Sequence, residues 1–374
     1  MTMTIQQSAT VDARIPATMR AAVYRAVNDV RVEEVPVPEI GAGELLVKIH
    51  TCGICGTDLK KIATGSHSAP RIFGHEMSGT VVAIGDGVKK FKLGDRVMVF
   101  HHIPCSDCYY CKYKVFAQCP TYKKVGSTAG FEPSGGGFAE FIRVMDWIVE
   151  RGGVVHIPDN VSFEQASFIE PVNTCLKGVK YLRLQKGETV LVMGQGPIGT
   201  ILGSLCQREG ARVVGSDLYT QRLDAAREFG ISETLNAANG DVIAKIRAMT
   251  DGRGADAVLV AVGGNALIRS AMDVVRPGGR VMLFAQTQHS EVAIDPAAVC
   301  MDEKTLMGSY SASVDIQTEN VDLVFSGAIA FEKLITHRFG LKQAREAIHL
   351  AANPKPDSMK IVFQPSLDLV GGAR

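Results

Sequence analysis

The stretch "VLVMGQGPIG", residues 190–199, sets the architecture of the chain's second half, because it spaces three glycines as G-x-G-x-x-G. It completes an apolar run typical of a buried strand and opens an apolar stretch, from Ile198 to Arg208, that predicts a helix. A second predicted strand, "ARVVGSD", ends at Asp217 and precedes another predicted helix, from about Thr220 to Phe229. "ADAVLVAVGG" and "GRVMLFAQ" supply two more buried strands, the latter entered through a Pro-Gly-Gly turn. This alternation predicts an α/β fold with a parallel, doubly wound sheet.

The three glycines have separate physical roles at a dinucleotide site. Gly194 permits a tight turn, Gly196 lets the backbone approach a pyrophosphate, and Gly199 allows the helix to pack closely on the strand. The N-terminus of that helix then attracts the phosphates. Pro197 and Ile198 belong to the same predicted cofactor-binding loop.

The acid at the end of the second strand indicates which dinucleotide is bound. Asp217 lies eighteen residues after Gly199, where a carboxylate accepts hydrogen bonds from the ribose of NAD and repels the additional phosphate of NADP. NAD is therefore the expected cofactor. Arg222 either lies along the adenosine side or is a solvated helix charge. The alternative is that the glycines only serve a helix entry and that Asp217 caps the next helix.

Length, charge and cysteine content limit the class of protein. At 374 residues the chain is long enough for two domains. Its 40 basic and 39 acidic residues nearly cancel, which gives no general attraction for nucleic acid or an anionic membrane. No window approaches the roughly 18 apolar residues of a membrane helix, and no secretory signal opens the chain, so a cytoplasmic location is expected. Nine cysteines in such a chain more often hold metal than form disulfides.

The first part of the chain has a different pattern of apolar residues and turns. From Met19 to about Val149, short β-type runs such as "RAAVY" and "ELLVKIH" alternate with Gly-rich breaks, which predicts a mostly β domain. The preceding 18 residues form a loose extension with no assigned function. After about Tyr310 the pattern is helical and less regular, and this last segment could return to pack on the first domain.

Four cysteines cluster in the stretch "CSDCYYCKYKVFAQC" as C-x2-C-x2-C-x7-C. They are Cys105, Cys108, Cys111 and Cys119. Four thiolates at this spacing can close a tetrahedral shell around Zn²⁺ and leave no position for substrate, so the site is predicted to be structural. An iron-sulfur site and free thiols are the alternatives.

A second set of possible ligands is spread over three segments. Cys55 lies in "CGICGTDLK", His75 and Glu76 in "IFGHEMSG", and Glu170 in "FIEPVNTC". One thiolate, one imidazole and one carboxylate make three protein ligands and leave a fourth position open for water or substrate. A site of this kind is catalytic in design.

Together these features resemble the zinc-dependent medium-chain alcohol dehydrogenase superfamily, in particular its sorbitol, polyol and threonine dehydrogenase branch. The motifs "GICGTD", "GHE", the four-cysteine loop, "EP" and "GQGPIG" occur in the family's order, and the resemblance runs from about Met19 to Phe363. It implies a GroES-like, mostly β catalytic domain interrupted by a Rossmann domain, with zinc in the cleft between them. It also implies an assembly, either a homodimer or a homotetramer.

The resemblance implies the following domain boundaries. Residues 1–18 are an N-terminal extension, residues 19–169 and 312–374 form the catalytic domain with a structural-zinc lobe at 101–122, and residues 170–311 form the Rossmann domain.

The resemblance also assigns roles to residues around the open site. Cys55, His75 and Glu170 correspond to the catalytic zinc ligands, with Glu76 near enough to exchange onto the metal. Asp58 resembles the acid that orients the ligand histidine. The expected cofactors are two zinc ions per chain and NAD.

The proton route is less well defined by the sequence. Thr57 resembles the family's Ser/Thr that takes the alcohol proton, although it could instead bond a nearby backbone group. Where many relatives carry histidine this chain has Lys60, and lysine is a poorer proton acceptor at neutral pH unless desolvation depresses its pKa. The alternatives for the exit are histidines near in sequence, for each of which a surface or packing role is also open. These are His50, His67, His101 and His102.

The predicted activity is transfer of hydride between NAD and a secondary alcohol, such as a polyol, sugar derivative or amino alcohol. Asn173 and Lys177, which follow "EP", could face that substrate or serve as capping and surface residues. Within enzymes, a threonine or butanediol dehydrogenase is an alternative. A zinc-free quinone or enone reductase on the same fold is disfavoured by the cysteine arrays. A non-catalytic, zinc-stabilised NAD sensor or scaffold is the alternative of another class, against which the complete open metal site argues.

Overall fold

The computed structural model describes residues 10–11, 15–122, 124, 126–131, 135–285 and 290–370. Of the predicted extension 1–18, residues 1–9 and 12–14 lie outside this part of the chain. Packing divides the chain into two units, Met1–Glu170 with Val321–Arg374, and Pro171–Asn320. Among the described residues, the first unit contains a nine-stranded and a three-stranded sheet, and the second unit contains a six-stranded sheet.

The elements are numbered in chain order. The strands are β1 Thr10–Val11, β2 Thr18–Ala26, β3 Asp29–Pro36, β4 Leu45–Gly53, β5 Arg71–Ile72, β6 Glu76–Ile84, β7 Arg96–Val99, β8 Ser127–Thr128, β9 Phe141–Val144, β10 Val154–His156, β11 Thr189–Met193, β12 Arg212–Asp217, β13 Glu233–Asn236, β14 Ala255–Val260, β15 Val275–Leu283, β16 Thr305–Gly308, β17 Ile335–Phe339 and β18 Lys360–Phe363. The helices are α1 Gly56–Thr64, α2 Tyr109–Lys112, α3 Asp146–Glu150, α4 Phe163–Ser167, α5 Ile169–Leu182, α6 Pro197–Arg208, α7 Thr220–Glu228, α8 Val242–Met249, α9 Asn265–Val274, α10 Pro296–Cys300, α11 Gln317–Phe325, α12 Ala344–Ala352 and α13 Leu367–Val370.

The first unit is mostly β, as predicted, with a main sheet in the order β10-β7-β6-β4-β18-β17. The predicted return of the last segment is confirmed, because β18 pairs antiparallel with β4. β4 also pairs antiparallel with β6, so that Gly53 lies opposite Glu76 on one side and opposite Val362 on the other. This register brings together residues from the two ends of the chain.

The second unit is the predicted doubly wound sheet, with all strands parallel in the order β13-β12-β11-β14-β15-β16. The central strand β11 is buried throughout, which explains its uninterrupted apolar sequence. Strand order reverses between β11 and β14, and ligands bind at such a switch point, beyond the carboxyl ends of the strands.

One local prediction in this unit is wrong. The Pro-Gly-Gly turn was expected to precede the strand "GRVMLFAQ", but Pro277, Gly278 and Gly279 lie inside β15. The register of β15 against β14 shifts at this point, between Ala255 and Ala257. Gly278 has a φ of 66°, so the three residues form an irregularity within a longer strand.

Candidate active site

Cys55 is placed at the entrance of helix α1. It is the N-cap residue, and its backbone carbonyl accepts a hydrogen bond from the N–H of Asp58 at 3.0 Å. The Cys55 N–H in turn donates to Asp58 Oδ2 at 3.2 Å. The partial positive charge of a helix N-terminus stabilises a thiolate, which is the form of cysteine that binds metal.

His75 lies just before β6, with its ring nitrogen Nδ1 3.1 Å from Asp58 Oδ1. Both side chains are buried. Burial acts to lower the pKa of His75, but the Asp58 carboxylate outweighs it and raises that pKa well above 6.5. Burial acts to raise the pKa of Asp58, and the facing imidazole reverses the direction, so that this pKa is lowered. Asp58 therefore orients the ring and leaves Nε2 as the nitrogen available to a metal.

Glu76, the first residue of β6, forms a buried ion pair with Lys360. Only 1% of the Glu76 side chain and 8% of the Lys360 side chain are exposed. Lys360 Nζ also donates to the Ile54 carbonyl at 3.1 Å, one residue before Cys55. The pair needs Gly53, because a Cβ at that position would come within 2.0 Å of Glu76 Oε2 and 2.7 Å of Lys360 Cε.

These elements bring together three of the four residues predicted at the open metal site. Cys55, His75 and Glu76 each offer a ligand atom, and the three atoms lie within 4.8 Å of one another. Glu170 stands outside this compact group, yet it is buried and electrostatically coupled to it. Burial raises the pKa of Glu170 to about 7, with His75 acting to lower it and Glu76 to raise it. Sulfur, imidazole nitrogen and carboxylate oxygen are the donors that zinc prefers.

The predicted proton-relay residues lie on the helix that Cys55 caps. Thr57 is in the first turn of α1 and Lys60 one turn further, and both are half-buried. Of the alternatives, His101 lies against the site, with its ring centroid 4.9 Å from that of His75. The ring of His102 contacts His101 at 3.6 Å.

The other two histidines have different surroundings. His50, on the interior strand β4, stacks on Phe163 with a centroid separation of 4.0 Å. Burial lowers the pKa of His67 to about 4, and its Nδ1 lies 3.1 Å from Ser66 Oγ.

The four-cysteine loop has a geometry suited to a tetrahedral ion. The Sγ atoms of Cys105 and Cys111 are 3.9 Å apart, those of Cys108 and Cys111 3.6 Å, and those of Cys105 and Cys119 3.6 Å. Four sulfurs at a Zn–S distance of about 2.3 Å would be about 3.8 Å apart in a tetrahedron. Backbone N–H groups of Asp107 and Cys108 lower the pKa of Cys105 to about 6. The loop therefore places four sulfur atoms at separations of the right size for zinc.

In the second unit the glycine-rich loop joins β11 to α6. Gly194 has a φ of 93°, in the left-handed region that favours glycine. A Cβ on Gly199 would lie 1.7 Å from the Gly194 carbonyl oxygen, so this glycine is required for the close approach of helix and strand. The space beside Gly196, the N-cap of α6, is open apart from Arg222 Nη1 at 4.0 Å. Pro197 and Ile198 open the helix. The loop can therefore receive a pyrophosphate at a helix N-terminus.

Asp217 ends β12 with its carboxylate turned toward this loop. Asp217 Oδ2 accepts the N–H of Gln195 at 2.7 Å, and Oδ1 accepts the N–H of Tyr219 at 3.0 Å. Arg222 Nη1 is 4.0 Å from Asp217 Oδ2, and the Arg222 guanidinium lies 5.3 Å from the Tyr219 ring centroid. Its side chain is 15% exposed, so it borders the loop and is not a solvated helix charge.

Sequence reasoning missed Lys360, a lysine at the start of the apolar run "KIVF". A charged residue that opens a buried strand is the one sign that could have pointed to it. Asn173 and Lys177 are buried in the second unit, where both hydrogen-bond to the backbone between residues 310 and 313. The structure thus gives them partners in the protein itself.

Two family models match the chain. Residues 41–159 match the alcohol dehydrogenase GroES-like domain and residues 197–326 match the zinc-binding dehydrogenase. A sorbitol dehydrogenase of Bombyx mori is 31% identical over 353 residues, covering 92% of this chain and 97% of the relative. An L-threonine 3-dehydrogenase of Klebsiella pneumoniae subsp. pneumoniae is 32% identical, covering 85% of this chain and 91% of the relative.

A solved structure from Sinorhizobium meliloti 1021, described as a zinc-binding dehydrogenase bound to NADP, has a TM-score of 0.82 at 28% identity. The match covers 94% of this chain and 100% of that one.

The chain therefore belongs to the zinc-dependent medium-chain alcohol dehydrogenase family, as its motifs predicted. It is an oxidoreductase that combines a zinc-binding, GroES-like domain with a Rossmann domain for a nicotinamide cofactor. Among the described residues, no helix combines the length and the apolar character needed to cross a bilayer.

Proposed function

We propose that this protein oxidises a secondary hydroxyl of a polyol, sugar derivative or amino alcohol, with NAD as the hydride acceptor. The observation that carries the proposal is the buried group formed by Cys55, His75 and Glu76, whose ligand atoms lie within 4.8 Å of one another. Supporting this substrate class, the relatives include sorbitol and threonine dehydrogenases. A carboxylate in the ligand set, in place of a second cysteine, favours this branch over simple ethanol dehydrogenases.

The residue roles follow from the donors and their surroundings. Cys55, His75 and Glu170 would hold the catalytic zinc, and Glu76 would exchange onto it. When bound, zinc supplies Lewis acidity toward the substrate hydroxyl and NAD accepts the hydride. Asp58 keeps the His75 ring oriented through the 3.1 Å contact at Nδ1.

The protein's own groups would move the hydroxyl proton. Thr57, in the first turn of α1, receives the proton from the substrate. Lys60 follows it on the same helix and would pass the proton outward. His101, in ring contact with His75, is the second route that the geometry supports.

We propose two zinc ions per chain, the second in the cage of Cys105, Cys108, Cys111 and Cys119. Sulfur separations of 3.6 to 3.9 Å support zinc in this cage. We favour NAD over NADP because Asp217 ends β12, where its carboxylate would accept hydrogen bonds from the ribose and would repel an added phosphate. Arg222, near Gly196, would contact the adenosine side of the cofactor.

Location and assembly complete the proposal. The cysteine cage and the Cys55 thiolate need reduced sulfur, which favours the cytoplasm. A homodimer or homotetramer is expected from the family. A threonine or butanediol dehydrogenase remains the alternative within enzymes.

The decisive experiment measures zinc content and NADH formation on polyols, inositols, sugars, threonine and diols. We expect two zinc ions and turnover on at least one of these classes. His75→Ala should lose one zinc and alcohol oxidation while NADH binding persists, and His349→Ala, at an exposed histidine, should behave as wild type. One zinc and no turnover across the panel would instead indicate the NAD sensor, and alcohol oxidation by His75→Ala would refute the assigned site.

A further inference from the structure

Two side chains of helix α5 hold the segment of chain that follows β16, the last strand of the parallel sheet. Asn173 Oδ1 accepts the Ser313 N–H at 2.7 Å, and Asn173 Nδ2 donates to the Ser313 carbonyl at 3.0 Å. One turn further along the helix, Lys177 Nζ donates to the carbonyls of Tyr310 at 2.8 Å and Ser311 at 3.4 Å. We call residues 310–313 the strand-end segment.

Holding a backbone segment with a lysine requires the burial of its ammonium group, which is energetically unfavourable. The Lys177 residue is 6% exposed, and burial lowers the pKa of its ammonium to about 8, an effect that the nearby charge of Asp315 only partly offsets. Ser311 has a backbone φ of 61°, which is uncommon for a residue other than glycine. The buried ammonium of Lys177 therefore contacts a segment that contains a residue with strained backbone. Strain of this kind is typical of functional sites, which indicates that the conformation of this segment serves function as well as stability.

The strand-end segment lies where the second half of a dinucleotide must go. Asp217 ends β12 and marks the adenosine side, and the glycine-rich loop after β11 marks the pyrophosphate. The rest of the cofactor therefore extends in the other direction along the sheet, toward the carboxyl ends of β14, β15 and β16. These ends are Val260, Leu283 and Gly308.

Packing places α5 against the same ends. A Cβ on Gly178, the residue after Lys177, would lie 2.9 Å from the ring of Phe284 and 3.7 Å from Ser309 Cβ. Phe284 follows β15 and Ser309 follows β16. The helix is therefore close enough to use its side chains as a support for the backbone that borders the nicotinamide.

We propose that Asn173 and Lys177 are positioning residues for the nicotinamide half of NAD, acting through the backbone of the strand-end segment. The proposal rests on the proposed NAD-dependent function. Neither residue touches the reacting atoms. Asn173 fixes the N–H and the carbonyl of Ser313, and Lys177 fixes the carbonyls of Tyr310 and Ser311, in backbone that the nicotinamide carboxamide meets. In this arrangement Lys177 makes its hydrogen bonds to the protein, and the substrate-facing role considered from the sequence is replaced by a role in cofactor placement.

The test compares two ligands that differ by the nicotinamide. NADH and ADP-ribose share the adenosine and pyrophosphate, so dissociation constants for both, measured without turnover, separate the two halves of the site. Lys177→Met should weaken NADH binding by about 10-fold to 100-fold, because two hydrogen bonds from a charged donor are lost. Its affinity for ADP-ribose should stay within about twofold of wild type. Lys180→Met removes a lysine of the same helix that pairs with Glu319 at the surface, and it should change neither constant.

A second variant guards against a folding defect in the first. Asn173→Asp retains the acceptor for the Ser313 N–H and loses the donor to both the Ser313 carbonyl and Gln317 Oε1, and it should show the same selective loss of NADH affinity. A parallel fall in the affinity for both ligands in both variants would indicate general support of the unit and would overturn the proposal. Unchanged NADH affinity with a raised KM for the alcohol would overturn it as well, in favour of substrate contact. Failure of the proposed function would give a different result, because the wild-type protein would then bind NADH without oxidising any alcohol.

Discussion

Removal of Lys360 should expose how strongly the candidate metal site depends on one buried ion pair. Lys360→Met deletes the partner of Glu76, whose side chain is 1% exposed, and leaves a carboxylate buried without its counter-charge. Breaking a buried pair on one side costs about 3–5 kcal/mol. With a urea m-value of about 2 kcal/mol/M, the unfolding midpoint should fall by about 1.5–2.5 M.

The single tryptophan makes this measurement specific to one unit. Trp147 lies in the first unit, with Glu76 and Lys360, so its fluorescence follows the unfolding of that unit in urea. The metal-free protein is compared with Lys360→Met, and Lys355→Met serves as the control at an exposed lysine.

Replacement of both partners separates charge burial from packing. Lys360→Met combined with Glu76→Leu removes both charges and should restore the midpoint to within about 0.5 M of wild type, because apolar side chains of similar volume replace buried pairs at little cost. Zinc loading should also reduce the fall in the unfolding midpoint of Lys360→Met, because a cation beside Glu76 offsets the missing ammonium. A fall of less than about 0.5 M in the metal-free single variant would refute the buried pair as a source of stability.

Three further outcomes are expected. Cys111→Ser should reduce the zinc content from two ions to one by metal analysis, and retention of both ions would contradict the assigned cage. Asp217→Ala should raise the KM for NAD by about 10-fold and reduce the preference for NAD over NADP, because the ribose hydrogen bonds and the repulsion of the added phosphate are both lost. An unchanged cofactor preference in steady-state kinetics would argue against this role. The pKa of Lys177 is lowered from 10.5 to about 8, so the folded protein binds fewer protons than the unfolded chain between these pH values, and its stability should rise with pH across that window. Relative to Lys177→Met, wild type should gain about 2 kcal/mol between pH 7.5 and 9.5 in urea unfolding, whereas a pH-independent difference would contradict the buried charge.

Local spacing made several parts of the structure predictable. The glycine-rich loop was recognisable because each glycine answers a steric demand within a few residues, such as the 1.7 Å approach of a Cβ on Gly199 to the Gly194 carbonyl. The cysteine cage was equally accessible, since Cys105 and Cys119 are close in the chain and their sulfurs lie 3.6 Å apart. In both cases the residues that act together are neighbours in sequence.

The candidate metal site could be predicted only in part. The family resemblance indicated four residues for this site, Cys55, His75, Glu76 and Glu170. No spacing rule, however, predicts that Glu76 joins the compact group and that Glu170 lies outside it. The structure groups Glu76 with Cys55 and His75 because β6 begins opposite Gly53, where the absence of a side chain leaves room.

Short-range patterns in the chain were thus sufficient to predict a mostly β first domain, a parallel sheet in the second, the dinucleotide loop and the cysteine loop, because backbone sterics and ligand spacing act over a few residues. Strand register and helix packing determined the contacts between residues that are distant in sequence. Lys360 reaches Glu76 across a ladder in which β18 pairs with β4 and β4 with β6, and Asn173 and Lys177 reach the strand-end segment from a helix more than 130 residues earlier. Contacts of this kind depend on how separate elements align and pack, and that alignment is a property of the folded chain as a whole.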